Sequence, residues 1–187
     1  IAAGVLAAAA AALGIIAYRA TRPAELKPLV RLDVDLGADV SLPATSSVES
    51  IRGSSVAISP DGTRLVYVSG NPAKLFTRRL DQPKATELPG TQGATAPFFS
   101  PDGQRVGFFL AGKLTKISVD GGAAVPLGDV ASASSGRWAE DGSVFTNRAG
   151  KGLQRVPAGG GPPETVAELG DGELGLHYPE ILPGGKA

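Results

Sequence analysis

The chain has no cysteine and no methionine, and His177 is its one histidine. The absence of cysteine excludes a disulfide frame, a thiol nucleophile, a zinc ribbon and an iron–sulfur centre. One imidazole cannot build a His-rich metal site or a two-histidine relay. Charge excess is missing too: 18 Lys and Arg face 18 Asp and Glu, which argues against electrostatically driven nucleic-acid binding. The absent methionine points to a segment of a longer protein. What is plentiful is glycine (26) and proline (15), about a fifth of the 187 residues. That load predicts many turns and short strands rather than long helices. An apolar fraction of 42% is enough for a folded core.

The one long apolar run is Ile1 to Ala17, seventeen residues without a charge, followed by Tyr18, Arg19 and Arg22. Its length is at the lower edge of what spans a bilayer as a helix. Ile1, Val5, Leu6, Leu13, Ile15 and Ile16 together favour insertion by about 2 to 4 kcal/mol. The expectation is a transmembrane helix over 1–18, with Tyr18 and the arginines as an interfacial anchor. A signal-peptide core or a buried helix are the other readings of the same run. Residues 19–50 read as a juxtamembrane linker, because Pro23, Pro28 and Pro43 prevent a continuous helix. Within it, Val30 to Leu36 alternates apolar and charged residues and predicts a strand at 30–36, a candidate for closing a ring. The D-x-D-x-G start at Asp33 is not a calcium loop, since the twelfth position is Ala44, not a carboxylate.

From residue 51 the sequence repeats. VAISPDGTRLVYVS (Val56–Ser69) is followed by KLFTRRLD, PFFSPDGQRVGFFL (Pro97–Leu110) by KLTKISVDGG, and GRWAEDGSVFTN (Gly136–Asn147) by GLQRVPAGGG. HYPEILPGGKA at 177–187 begins a fourth unit. The turn glycines Gly62, Gly103, Gly142 and Gly184 are 41, 39 and 42 residues apart. A period near 40 with several short strands per unit predicts a β-propeller blade. The expected turn residues are Pro60, Asp61 and Gly62, then Pro101, Asp102 and Gly103, then Asp141 and Gly142, then Pro183 and Gly184. Proline presets φ at the second turn position, aspartate bonds nearby backbone, and glycine supplies the positive φ. Ala139-Glu140 replaces Ser-Pro in the third unit, which predicts a looser turn there.

These segments resemble WD40-like (PD40, TolB-type) propeller repeats. They are most similar to the propeller that follows the single transmembrane helix in bacterial serine/threonine protein kinases of the PknB type. The resemblance covers about residues 29–187, and the repeat is shared with TolB and dipeptidyl-peptidase-IV-like propellers. It implies an all-β fold: a partial, truncated β-propeller of four-stranded antiparallel blades over 51–187, preceded by one transmembrane helix. Three blades and the start of a fourth are present, whereas closure takes about four to eight. The resemblance also implies a cell-membrane location, single-pass, with the propeller periplasmic or extracellular. The implied role is a noncatalytic ligand- or protein-binding sensor within a receptor-like kinase. Alternatives are the propeller of an S9-type peptidase and a TolB-like periplasmic interaction module.

No catalytic, cofactor-binding or metal-ligating residue is expected in this chain. His177 has no G-x-S-x-G elbow to serve. Gly107 to Leu114 nearly matches a P-loop, but Leu114 stands where the magnesium-holding hydroxyl belongs, and the segment reads as a hairpin. The kinase signatures are absent from the chain. Asp61, Asp102 and Asp141 fall on separate blades, and Trp138 aligns with Phe99 as core packing. Lys74, Arg78, Arg79 and Lys84 form the densest basic cluster and read as a solvated strand edge. The expected partners are the membrane, through Ile1–Ala17, and an unidentified protein or small molecule, with no nucleic acid.

Overall fold

A computed structural model describes Leu36, residues 40–42 and residues 53–182. The apolar run at 1–17, the strand read at 30–36 and the last turn, Pro183 and Gly184, fall outside the described residues, Leu36 apart. No helix among the described residues is long and apolar enough to cross a membrane.

Among the described residues, twelve strands form three four-stranded antiparallel sheets, each a meander in chain order. The first contains β1 (Val56–Ile58), β2 (Arg64–Ser69), β3 (Lys74–Arg79) and β4 (Thr86–Glu87). The second contains β5 (Thr95–Phe99), β6 (Arg105–Leu110), β7 (Lys113–Ser118) and β8 (Val125–Asp129). The third contains β9 (Gly136–Trp138), β10 (Val144–Arg148), β11 (Gly152–Val156) and β12 (Glu164–Ala167). The first strands β1, β5 and β9 carry the contacts between neighbouring sheets, the arrangement of propeller blades around an axis. Residues 168–182 form no strand, so the segment read as the start of a fourth unit is irregular where it is described.

Local chemistry explains the meanders. The β6–β7 hairpin turns on Ala111 and Gly112, with φ of 49° and 77°, between the paired residues Leu110 and Lys113. Two successive positive φ values give a type I′ turn, whose twist matches that of the flanking strands. This hairpin is the segment that resembled a P-loop. In β5 the register shifts between Thr95 and Phe98, and Ala96 takes a φ of 49°. Pro97 has no N–H to donate, and the bulge absorbs it without breaking the ladder.

The core lies between the blades. Val66, Val68, Leu75 and Leu88 of the first meet Val106, Phe108, Ile117 and Val119 of the second. On the other side of the same β6, Phe109 joins Leu114, Leu127, Trp138, Val144 and Val156 between the second and third. Strand β6 is therefore apolar on both faces because it is covered on both. Full burial of Val106 and Phe108, both 0% exposed, contributes roughly 1.5–3 kcal/mol each. Between the second and third blades, the ring of Phe98 fills the space left by two glycines. A Cβ on Gly107 would sit 2.5 Å from Phe98 Cζ, and one on Gly136 would sit 2.6 Å from Phe98 Cε1. The ring also lies near Phe109 and Trp138, with centroids 6.1 and 6.2 Å away.

Candidate functional site

The repeated turns use the aspartates as acceptors. In the first blade, Asp61 Oδ1 accepts from the Ser59 hydroxyl and from Thr63 N–H at 3.1 Å, while Oδ2 accepts from Thr63 Oγ1 at 2.8 Å. Ser59 Oγ in turn accepts from Arg64 N–H at 2.9 Å, and Gly62 N–H closes the turn on Ser59 O at 2.8 Å. The second blade reproduces this: Ser100 Oγ donates to Asp102, Gln104 N–H donates to Asp102 at 3.0 Å, and Gly103 N–H reaches Ser100 O at 2.9 Å. Pro60 and Pro101 are exposed at the second position, and Gly62, Gly103 and Gly142 have φ of 72°, 69° and 83°.

The third turn does not loosen as its Ala-Glu start predicts. Ser143, one residue beyond Gly142, supplies the missing hydroxyl: its Oγ donates to Asp141 Oδ1 at 2.6 Å and its N–H at 2.9 Å. Trp138 Nε1 donates to Gly142 O at 3.0 Å, and Arg155 pairs with Asp141 Oδ2 at 2.9 Å. The hydroxyl has moved from before the turn to after it, so the acceptor remains satisfied.

These bonds favour the ionised carboxylates. The Ser59 hydroxyl, then the Thr63 backbone and side chain, hold Asp61 down at about 2. Ser100 and then Gln104 lower Asp102, and Ser143 and then Arg155 lower Asp141. Each is an acceptor in a turn, on its own blade, and the structure does not bring the three together. Among the described residues no three His, Cys, Asp or Glu side chains cluster closely enough to hold a metal ion.

His177 joins a buried polar knot. Asn147 (1% exposed) accepts at Oδ1 from Ser134 N–H (2.8 Å) and Ser135 N–H (2.9 Å). Those two backbone donors fix the amide orientation, so Nδ2 faces Ser134 Oγ at 3.1 Å and His177 Nδ1 at 3.3 Å. Tyr178 N–H donates to Ser135 Oγ at 3.1 Å, and Arg137 pairs with Glu180 at 3.2 Å. The knot fastens the chain after the third blade to the entrance of β9. Sequence reasoning did not find Asn147, which occupies a position filled by Val68 and Phe109 in the other blades.

The basic cluster is dispersed. Lys74 pairs with Glu87 at 2.9 Å, Arg79 with Asp81 at 2.8 Å, and Arg78 Nε donates to Gln82 O at 3.0 Å. Arg64 was not singled out, yet it connects two blades. Its guanidinium donates to Val119 O and Asp120 Oδ1, both at 3.1 Å. Nearer the axis, Gly53 N–H donates to Ser134 O at 2.7 Å, joining the entrance of the first blade to that of the third. A Cβ on Gly53 would lie 2.3 Å from Ser134 O and 2.7 Å from Ala96 Cβ. The first and third entrances therefore meet backbone to backbone, with Ala96 of the second beside them. Two concavities open away from them, one between the first two blades beside Arg64 and one on the third blade beside Arg148.

No protein-family model matches the chain, and no curated protein matches it. Solved structures do share its fold. Hydrazine synthase of Kuenenia stuttgartiensis aligns with 78% of this chain and 44% of its own, at 18% identity and a TM-score of 0.55. A TolB-type protein of Agrobacterium tumefaciens aligns with 64% of this chain at 20% identity and a TM-score of 0.52. The matched region spans about half of that protein, 49% of its length. The described part of the chain is thus an all-β assembly of propeller blades, the fold it shares with these two structures.

Proposed function

We propose that this chain is a noncatalytic binding propeller, held at a membrane by residues 1–17 and displayed on its outer side. In this reading it serves as the sensor or interaction module of a receptor-like serine/threonine kinase. The observation that carries the binding role is how the repeat uses its residues. The shared positions close turns and fill the spaces between blades, and the loops at the blade ends differ from blade to blade. The tether rests on the apolar run with its Tyr18 and Arg19 flank. The kinase context rests on the resemblance of SVAISPDGTRLVYVS, FFSPDGQRVGFF and GKLTKISVDGGAAVPL to the propellers of those receptors. The likeness in fold to a TolB-type protein favours a second reading, a periplasmic interaction module without a kinase.

Two measurements separate these readings. Alkaline phosphatase fused after residue 182 should be active in a bacterial host, and a fluorescent cytoplasmic reporter at the same place should stay dark. The reverse pattern overturns the outward display. Codons upstream of Ile1 should encode H-R-D and D-F-G motifs. An upstream region without them leaves the TolB-like module, and a downstream G-x-S-x-G marks a peptidase propeller instead.

A further inference from the structure

One corner of the third blade departs from the other two. In the first two blades the third strand opens on a lysine paired across to the fourth: Lys74 with Glu87 at 2.9 Å and Lys113 with Asp129 at 2.6 Å. The corresponding residue of the third blade is Gly152, opposite Arg148 in the β10–β11 ladder. Its φ is 113°, and a Cβ there would lie 2.0 Å from Ala167 O, so no lysine fits. The cations stand instead on the preceding turn, as Arg148 and Lys151. Neither makes an ion pair among the described residues, unlike Lys74, Arg79, Lys113 and Arg155. Between that turn and β12 lies an open surface depression of about 370 Å³, lined by the exposed Arg148, Gly150, Lys151, Thr165 and Glu168 and the half-buried Leu169.

We propose that this depression is a binding site for a small oxyanion, a carboxylate or a phosphate monoester. Arg148 and Lys151 supply the charge, and the Thr165 hydroxyl adds a donor. Arginine is suited to planar bidentate contact with such groups. Glu168 leaves the lining a net single positive charge. Leu169 gives a short alkyl portion an apolar surface. The site depends on the third blade alone, so it deepens the binding-module reading without depending on the membrane tether or the kinase.

The test is an amide-shift titration of the full chain in neutral detergent, with butyrate and with inorganic phosphate as separate probes, at low salt. The expected result is saturable movement of the Gly150, Lys151 and Thr165 amides with at least one probe, and which probe saturates assigns the oxyanion. Arg148→Gln with Lys151→Gln should weaken binding about tenfold or more, the loss of roughly 1.4 kcal/mol. Glu168→Gln should tighten it several-fold, while Lys113→Gln, on a paired cation, should leave it unchanged. All four side chains are at the surface, and an unchanged melting temperature confirms that each variant folds. No saturation with either probe, undiminished binding in the double variant, or weaker binding in Glu168→Gln overturns the site. Outward display of the propeller is read by a separate assay, so the two claims fail independently.

Discussion

At Gly107 and Gly136 the side chain that is missing is the one that matters, because the ring of Phe98 occupies both spaces. Gly107→Ala should lower stability by roughly 1–3 kcal/mol, the range for overpacking a filled core. Gly136 bounds the half-buried ring on the other side. Urea unfolding checks this, and adding Phe98→Leu should recover part of the loss. A full effect that persists in the double variant would mean that the ring is not the obstacle. Aspartate gives the second residue-scale expectation. Asp61 is held at about 2, well below its value in an unfolded chain, so its stabilising effect is fully present above about pH 4. That effect disappears as pH falls through about 2. Carbon-13 titration of the Asp61 carboxyl should show a midpoint near that value, and Asp61→Asn should flatten the acid limb of the stability curve. A midpoint near 4 would show that the Ser59 and Thr63 bonds do not persist in solution. The aspartate and glycine of the turn were legible in the sequence because their roles are local. The fit of Phe98 was not, because it depends on two residues brought together from different blades.

The third turn shows where reading an element by its motif fails. Ala139-Glu140 loses the leading serine, yet Ser143 restores the same acceptor arrangement from the far side. Ser143→Ala should therefore cost about 1 kcal/mol, the net value of a buried hydrogen bond, although Ser143 lies outside the four-residue motif. Ala139→Ser in the same background should return some of that stability in a thermal melt. Strand β10 carries a similar lesson. Its first half, Val144 and Phe145, follows the apolar pattern of β2 and β6, but Thr146 and Asn147 are buried and polar. Periodicity places Asn147 on a covered face and gives no reason for an amide. The reason is tertiary, since two backbone N–H groups and His177 converge on it. The period near 40 and the meander of each blade were readable, because turn glycines and apolar alternation are properties of short segments. The strand expected at 30–36 and the helix at 1–18 lie outside the described residues.

Across the whole described assembly, hydrogen bonds cross between blades in addition to the apolar packing, Gly161 N–H to Leu127 O at 2.8 Å among them. Arg64 reaches Val119 O and Asp120 from β2. Arg64→Met should destabilise by about 1.5–3 kcal/mol, because a buried carbonyl loses a charged donor. Asp120→Ala should cost no more than about 1 kcal/mol, since that carboxylate is 74% exposed. Equal losses in the two variants would place the value in the ion pair rather than in the carbonyl. The tie between Gly53 and Ser134 reaches two blades away, and Gly53→Ala should break it, with faster hydrogen exchange at the Gly53 amide as the readout. A sheet such as the second, whose central strand is clothed by neighbours on either flank, has no meaning as a solitary object. Ancestral gain or loss of length in such a chain is thereby quantised. Adding or removing a complete meander leaves the facing of every remaining strand unchanged. A slip of one position within β6 would instead exchange Val106 and Phe108 with Gly107 and Phe109, and neither flank would fit.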